Sequence, residues 1–416
     1  MEGLELLIRK SFERLSGADY AIGNVFRPEG YDWPGDWEGR ALLAFSCHAR
    51  MGKEIACKRQ MLELLPQKTQ GRGYFGNTFD RTAIDEQQLA GHNWLLRGLL
   101  SCADAREKGA SEQAELLMKN LFLPALDFYE MYPLGRKDFS GGVSGQKVQQ
   151  CGNWILSSDA GCAFIALDGV AEYYARTKDS CVKSKMERAI ARFSSFDFCG
   201  LHLQTHATLS ALRGVLTFYE TTKDVRFLSL VSRIFQLYID RGMTLSYENF
   251  NWFEKTQNWT EPCAVVDSLI LAIKLYRITG EQYYRTLARR ICFNGLYFSQ
   301  RENGGAGPNT CVTAEQPYLR VFMYEAPFCC TMRYAEGLVW CKENEELFGE
   351  ENAPIVKNRG RFFLGDHLLV QDETGTFKRE KHYNTDGKSL IAIPTLNNIK
   401  EETAKKVSLK VYWEES

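Results

Sequence analysis

Hydrophobic positions along most of the chain recur every three to four residues, which is the spacing of one face of an α-helix. Residues 86–106 (EQQLAGHNWLLRGLLSCADAR) illustrate the pattern, since their apolar side chains return at i, i+3 and i+4. Short polar segments separate one such stretch from the next. The pattern predicts helices over residues 2–16, 38–51, 86–106, 112–130, 156–177, 183–195, 205–221, 225–240, 264–279, 281–298 and 330–344.

Pairs of these helices repeat a local theme. Residues 216–238 and 271–297 each contain an apolar helix, a Thr-Lys-Asp or Thr-Gly-Glu turn and an aromatic-rich helix, and residues 171–180 open in the same way. A recurring helical hairpin indicates either a solenoid or a closed ring of hairpins. The period is too loose for a standard solenoid, and the loops between hairpins are long. The sequence therefore predicts a mainly α fold, an (α/α) barrel whose pocket lies where the hairpin loops converge.

The pattern changes from about residue 346. Residues 361–373, 389–396 and 405–415 alternate apolar and polar side chains and are separated by Gly, Asp and Asn, which is typical of short strands joined by turns. We therefore expect two domains. Residues 1–345 form the helical barrel, and residues 346–416 form a short β-strand domain, sandwich-like or part of a sandwich.

Composition and charge narrow the class of protein. The chain has 51 basic and 52 acidic residues and a net charge of −1, and no basic stripe suggests a nucleic-acid partner. No segment reaches the roughly 20 apolar residues of a membrane span. The N-terminus lacks the apolar core of a secretion signal, so we expect a cytoplasmic protein or a mature form without its leader. The 13 irregularly spaced cysteines favour free thiols and a metal or catalytic cluster over a disulfide framework.

The adjacent pair Cys329 and Cys330 is the first candidate for chemistry. It follows Pro327 and precedes an amphipathic helix, so backbone amides and the helix dipole favour thiolate over thiol at this position. Two neighbouring thiolates can bind one soft cation. The alternative is two buried cysteines that pack as small hydrophobic side chains.

The segment TEPCAVVD, residues 260–267, is the second candidate. Pro262 is typical of a first helical turn, which places Glu261 and Cys263 together at a helix start. Three thiolates and one carboxylate are a complete ligand set for tetrahedral zinc. The alternative is a capping glutamate and a core cysteine.

Taken together, TEPCA, the following YYRTLARRICFNGLY helix and the Cys-Cys pair resemble glycoside hydrolase family 127, the β-L-arabinofuranosidases and their relatives. That family carries Glu-x-Cys-Ala, then an aromatic-rich helix ending in Tyr-Asn-Gly, then Cys-Cys. The likeness continues in the same order through WPGDWEGRALLA (33–44), GYFG (73–76), AGHNWLLRGLL (90–100) and QTHATLSALRGVLTFYETTKD (204–224). This chain differs at Phe293, where the family has Tyr, and at Asp159 and Cys162, where a Gly-His step is expected.

The resemblance implies an (α/α)6 barrel followed by β-sandwich material, and a zinc ion bound by Glu261, Cys263, Cys329 and Cys330. It also implies a retaining mechanism. Cys329 attacks the anomeric carbon, and a glutamate upstream of the Glu-x-Cys motif protonates the leaving oxygen.

Two residues compete for the acid/base role. The resemblance favours Glu248 in YENF (247–250), although its spacing to the Glu-x-Cys motif is a few residues shorter than in the family. Glu254 is the competitor, and a solvated loop carboxylate is the structural alternative to Glu248.

Four further residues are candidates for binding a sugar. His92 and His206 match histidines that line the family's pocket, and either could instead be a packed, hydrogen-bonded core residue. Asp36 and Trp37 lie near the predicted mouth, where they could hydrogen-bond or stack on a sugar, or pack at the rim.

The sequence thus predicts a retaining glycoside hydrolase that releases a terminal L-arabinofuranose or related furanoside. Two alternatives remain: a hydrolase of another pectin side-chain sugar with the same site, and a non-catalytic carbohydrate-binding protein with a structural zinc. We expect an oligosaccharide or glycoside as partner, no nucleic acid and no membrane, with a homodimer as one option for assembly.

Overall fold

The computed structural model describes residues 2–28, 30–140, 144–313, 318–319, 321–348, 355–358, 361–364, 367–368, 370–371, 377–378, 391–392 and 411–413. The chain divides into two compact units. The first unit comprises Phe12–Gly242 and Asn251–Lys255, and the second comprises Met1–Ser11, Met243–Phe250 and Thr256–Ser416. The N-terminal helix is Glu2–Leu15. None of the helices in the described part of the chain combines the length and hydrophobicity needed to cross a bilayer.

Buried helices packed in pairs make up most of the first unit. Asp36–Arg50 packs on Glu86–Asp104, and Ala166–Thr177 packs on Thr205–Thr222. Glycines allow these close approaches. A Cβ atom at Gly39 would lie 2.1 Å from the backbone nitrogen of Leu95, and one at Gly214 would lie 2.4 Å from the carbonyl of Leu167. The helices of this unit are Asp36–Arg50, Cys57–Lys68, Glu86–Asp104, Ala110–Leu117, Leu123–Leu126, Ala166–Thr177, Ser180–Ser194, Thr205–Thr222 and Val225–Arg241.

A small sheet in the first unit corrects one predicted helix. Residues 156–165 were expected to open a helix, but Trp154–Ser157 is a strand and Cys162–Ile165 is a 3₁₀ turn. Trp154–Ser157 pairs antiparallel with Lys147–Cys151 and parallel with Ile84–Asp85. Gly152 adopts φ +57° where the chain reverses between the two antiparallel strands. Pairing with the neighbouring strands then satisfies the backbone groups that a helix would otherwise use.

Two further differences concern helices of this unit. The predicted helix 112–130 is divided into Ala110–Leu117 and Leu123–Leu126 by the π-helical turn Met118–Phe122. The helix Cys57–Lys68 was not predicted. Its apolar side chains are few and Pro66 lies in its last turn, which weakens the helical signal.

The second unit is built around the helix Pro262–Thr279. Nearly every side chain of this helix from Pro262 to Leu275 is buried, because it packs against both Gln282–Arg290 and Cys330–Lys342. The π-helical turn Ile291–Leu296 and the short helix Tyr297–Ser299 follow.

Short strands form the C-terminal part of the second unit. Ile355–Asn358 pairs in parallel with Val411–Trp413 and antiparallel with Arg361–Leu364, which in turn pairs with His367–Leu368. Two smaller antiparallel pairs are Tyr318–Leu319 with Ile391–Ala392, and Val370–Gln371 with Phe377–Lys378.

These strands confirm the predicted small C-terminal β region. Most of the predicted strand segments 389–396 and 405–415 lies outside the described residues. The domain boundary after residue 345 stays a prediction.

Candidate metal centre and active site

Three cysteine sulfurs meet in the second unit. The Sγ atoms of Cys263 and Cys330 are 3.8 Å apart, those of Cys329 and Cys330 are 3.3 Å apart, and all three lie within 4.8 Å of one another. A tetrahedral zinc ion with Zn–S bonds of about 2.3 Å would hold its sulfurs about 3.8 Å apart. The cluster can therefore hold a metal ion, and the separation between Cys263 and Cys330 equals the one expected for two thiolates on a tetrahedral zinc ion.

Two helix starts position these sulfurs. Cys263 is the second residue of Pro262–Thr279, and Cys330 is the first residue of Cys330–Lys342, preceded by Cys329 at the N-cap. The two segments are more than sixty positions apart in sequence, so the cluster depends on how the two helices pack.

A buried ion pair joins the same two helices one turn further along. Asp267 lies four residues after Cys263, and Arg333 lies three residues after Cys330, so each shares a helix face with its cysteine. The Arg333 guanidinium bonds the Asp267 carboxylate, and both side chains are fully buried. Arg333 also pairs with Glu336 on its own helix. This network joins the two helices that carry the sulfurs.

Glu261 lies beside this cluster as the N-cap residue of Pro262–Thr279. Its backbone N–H donates to Asn249 Oδ1 at 2.7 Å, and its side chain makes no capping bond to the helix. A carboxylate oxygen of Glu261 comes within 4.8 Å of the Cys263 sulfur. The structure thus brings three predicted ligands into one cluster and the fourth next to Cys263.

Burial opposes ionisation of the Cys330 thiol. The pKa of Cys330 is raised well above its usual range, mainly by desolvation and further by the neighbouring Cys263 and Cys329. Desolvation at Cys330 therefore opposes the thiolate that a helix start favours. A bound cation would reverse this balance.

Glu248 is fully buried in the same unit, and its oxygens accept three hydrogen bonds. Ser246 Oγ donates to Oε2 at 2.8 Å, while Asn309 Nδ2 and Thr260 Oγ1 donate to Oε1 at 2.7 and 3.2 Å. Desolvation nevertheless raises the pKa of Glu248 to about 7. Near neutral pH this carboxyl group can hold a proton, which is the state that a general acid needs.

Arg301 connects the carboxyl group and the sulfur cluster, and sequence reasoning missed it. Its guanidinium donates to Gly307 O at 2.7 Å and to Asn309 Oδ1 at 2.9 Å, so it orders the residue that bonds Glu248. It also interacts electrostatically with both Glu248 and Cys330. The Gly-rich run NGGAGPN at 303–309 was the available signal, because such a run allows close backbone packing.

Glu254, the competing acid/base residue, lies at the surface of the first unit. Its carboxylate pairs with Arg241 at 3.0 Å, and 37% of its side chain is exposed. Nothing in this environment resembles the desolvated surroundings of Glu248.

Asp36 and Trp37 lie at the start of the helix Asp36–Arg50 and are both buried. Asp36 forms an ion pair with Arg40 at 2.8 Å. The Trp37 ring stacks on Tyr20 with ring centroids 5.8 Å apart, and the Arg27 guanidinium lies 3.2 Å from the Trp37 ring centroid. A sugar-binding role for these two residues stays a prediction.

The two histidines are also buried in the first unit. The His92 Nδ1 atom lies 2.7 Å from Gln88 O, and its Nε2 accepts from the Phe75 N–H at 2.8 Å, so both ring nitrogens are used within the protein. Burial lowers the pKa of His92 to about 4, which keeps the ring neutral. His206 stacks on Trp94, with ring centroids 5.7 Å apart and planes 7° from parallel. Their predicted contact with a sugar remains untested.

Solved structures with similar folds include two β-arabinofuranosidases of glycoside hydrolase family 127. One has a TM-score of 0.54 at 12% identity over 80% of this chain, and the other, from Geobacillus stearothermophilus T6, has a TM-score of 0.51 at 11% identity over 85%. The chain spans 55% and 61% of their lengths. An unsaturated glucuronyl hydrolase specific for heparin matches with a TM-score of 0.55 at 9% identity, over 84% of this chain and all of that one.

Similarity at this level of identity shows the fold. The predicted class, an (α/α)6 fold with a small C-terminal β region, is confirmed, and the resemblance to family 127 holds for the fold. No family model matches the sequence, and no curated protein matches it.

Proposed function

We propose that this protein is a retaining glycoside hydrolase that releases a terminal L-arabinofuranose or a related furanoside. The observation that carries the proposal is the meeting of three cysteine sulfurs from two distant helix starts. The buried Glu248 in the same unit supplies the second group that the reaction needs. The fold shared with two β-arabinofuranosidases supports the sugar class.

Glu261, Cys263, Cys329 and Cys330 would hold one zinc ion. When bound, zinc keeps the cysteine sulfurs deprotonated despite their burial. Cys329 is the best placed nucleophile, because it is the half-buried member of the cluster while Cys263 and Cys330 are fully buried.

In the first step the Cys329 sulfur forms a bond to the anomeric carbon and the glycosidic C–O bond breaks. Glu248 gives its proton to the departing oxygen. In the second step Glu248 takes a proton from a water molecule, whose oxygen attacks the anomeric carbon and breaks the C–S bond. Two displacements at one carbon retain its configuration.

Glu248 suits the acid/base role better than Glu254 does. A carboxyl group whose pKa lies near 7 can both give and take a proton at neutral pH. Glu254 is instead paired with Arg241 in a partly exposed position.

The test is hydrolysis of an aryl β-L-arabinofuranoside by the purified protein, together with its zinc content. We expect about one zinc per chain and release of the aryl group. Glu248→Gln should lose about 10²- to 10⁴-fold in kcat/KM, the usual contribution of general acid/base catalysis. Cys329→Ser should lose at least as much.

Matched controls use residues away from the cluster. Glu254→Gln and Cys181→Ser, which alters an exposed thiol, should stay within about twofold of the wild type. Loss of activity in Glu254→Gln but not in Glu248→Gln would overturn the acid/base assignment.

Three other outcomes would change the proposed site, the activity or the substrate. Full turnover by zinc-free protein would overturn the proposed site. Tight sugar binding without turnover would favour the carbohydrate-binding alternative, while turnover only of other pectin side-chain sugars would redirect the substrate.

A further inference from the structure

A cavity in the first unit takes no part in the chemistry described above. It has a volume of about 630 Å³, and all of its lining residues lie between Phe26 and Thr78. Small-molecule sites typically measure about 300–1,000 Å³, so this cavity is larger than a simple inorganic anion requires.

The cavity carries three cationic side chains, Arg27, Lys68 and Arg72. Arg72 donates to Thr78 Oγ1 and to Gly76 O, both at 3.1 Å, which are neutral acceptors. Among the described residues none of the three cations has a carboxylate partner within 4.0 Å. The lining thus carries three cations against one carboxyl group, that of Glu38, and this excess of positive charge suits an anionic ligand.

Glu38 is the one carboxyl group among the described lining residues. It is 1% exposed, and its Oε1 accepts the Arg27 backbone N–H at 2.7 Å, whereas its Oε2 has no hydrogen-bond partner among the described atoms. Burial raises the pKa of Glu38 to about 7, so it only partly offsets the three cations at neutral pH. An unsatisfied buried carboxyl oxygen is costly, and a ligand hydroxyl group would satisfy it.

Flat apolar surfaces complete the lining. Phe26, Tyr31, Pro34 and Phe75 border the same cavity as the cations. The Lys68 ammonium lies 5.4 Å from the centroid of the Phe26 ring, so charge and aromatic surface are adjacent. A sugar ring has hydroxyl groups at its edge and apolar C–H groups on its faces. An acidic sugar also carries a negatively charged group.

We propose that this cavity binds an anionic sugar, a saccharide unit bearing a carboxylate or a phosphate group. Arg27, Lys68 and Arg72 hold the anionic group, and the aromatic rings pack on the sugar face. Glu38 Oε2 accepts a hydrogen bond from a sugar hydroxyl group. The anionic character follows from the cavity alone, and the choice of a carbohydrate rests on the proposed function.

The experiment measures binding to the zinc-loaded chain of 416 residues by calorimetry at about 0.15 M salt. Digalacturonate is the carboxylate probe, galactose 6-phosphate is the phosphate probe, and galactobiose is the neutral control. We expect at least one anionic probe to bind tenfold or more tightly than galactobiose. The tighter of the two anionic probes identifies the charged group.

Variants then locate the binding. Arg72→Gln and Lys68→Gln should each weaken the anionic probe about tenfold. Arg226→Gln removes the same charge from an arginine that is 79% exposed and paired locally with Asp224, so it should change binding less than twofold. Lys68 is exposed, which makes its replacement safe for folding.

Three results would overturn the proposal: equal binding of galactobiose, equal effects of Arg72→Gln and Arg226→Gln, or no binding of either anionic probe. The reaction assay separates this proposal from the proposed hydrolase. If the aryl arabinofuranoside is hydrolysed but no anionic probe binds, only the cavity assignment is wrong. If a probe binds as expected but no aryl glycoside is hydrolysed, only the hydrolase assignment is wrong.

Discussion

The burial of Glu248 predicts a pH-dependent stability that one substitution should remove. Desolvation raises the pKa of this carboxyl group from 4.5 to about 7 in the folded protein. Between these values the folded chain binds more protons at this site than the unfolded chain does. The contribution is therefore fully present below pH 4.5 and is lost as pH rises through 7. At about 1.4 kcal/mol per pKa unit, the difference corresponds to about 3 kcal/mol.

Glu248→Gln keeps the shape of the side chain and cannot ionise. We expect the free energy of unfolding of the wild type to fall, relative to that of Glu248→Gln, by about 3 kcal/mol between pH 4.5 and pH 8. Urea unfolding at closely spaced pH values measures this difference directly, and subtraction cancels the other titrating groups.

Two further measurements sharpen this prediction. The kcat/KM of the wild type should decline above pH 7, where the general acid loses its proton. Glu254→Gln is the control, and its stability profile should follow that of the wild type within about 1 kcal/mol, since exposed ion pairs contribute little. If the stability difference between the wild type and Glu248→Gln is flat, or if it shifts in favour of the wild type as pH rises, the burial argument is refuted, and with it the reason for choosing Glu248.

The remaining predictions concern the helices around the sulfur cluster and the barrel packing. Arg333→Met should lower the free energy of unfolding by about 3–5 kcal/mol, because it leaves two buried carboxyl groups without their cation. Asp267→Asn should lower it by less. Urea unfolding measures both variants, and a larger loss for Asp267→Asn would contradict this reasoning. Removal of the metal by a chelator should lower the melting temperature of the wild type and change that of Cys263→Ser little. Thermal denaturation with and without the chelator measures this difference. Gly39→Ala should lower the free energy of unfolding by about 1–3 kcal/mol, because the added Cβ would lie 2.1 Å from the Leu95 backbone nitrogen. An unchanged melting temperature would contradict this close contact between the two helices.

The predictions that succeeded from sequence rest on local chemistry. Pro262 marks a first helical turn in the sequence, and the helix begins there in the structure. The Cys-Cys pair was expected at a helix start, and the helix Cys330–Lys342 begins at its second cysteine. The strand Trp154–Ser157 was missed, because a short apolar run is compatible with either a helix or a strand and its partner strand decides the outcome.

The linear chain determined where helices begin, which residue types occupy those beginnings, and that the architecture is helical with a β region at the end. Those features follow from side-chain spacing and turn chemistry, which act over a few residues. Only the tertiary structure decided that Cys263 meets Cys330, that Glu248 is buried rather than solvated, and that Arg301 lies within electrostatic reach of both Glu248 and Cys330. Each of these features depends on contacts between distant segments and on the exclusion of water by packing. A short stretch of sequence determines neither of them.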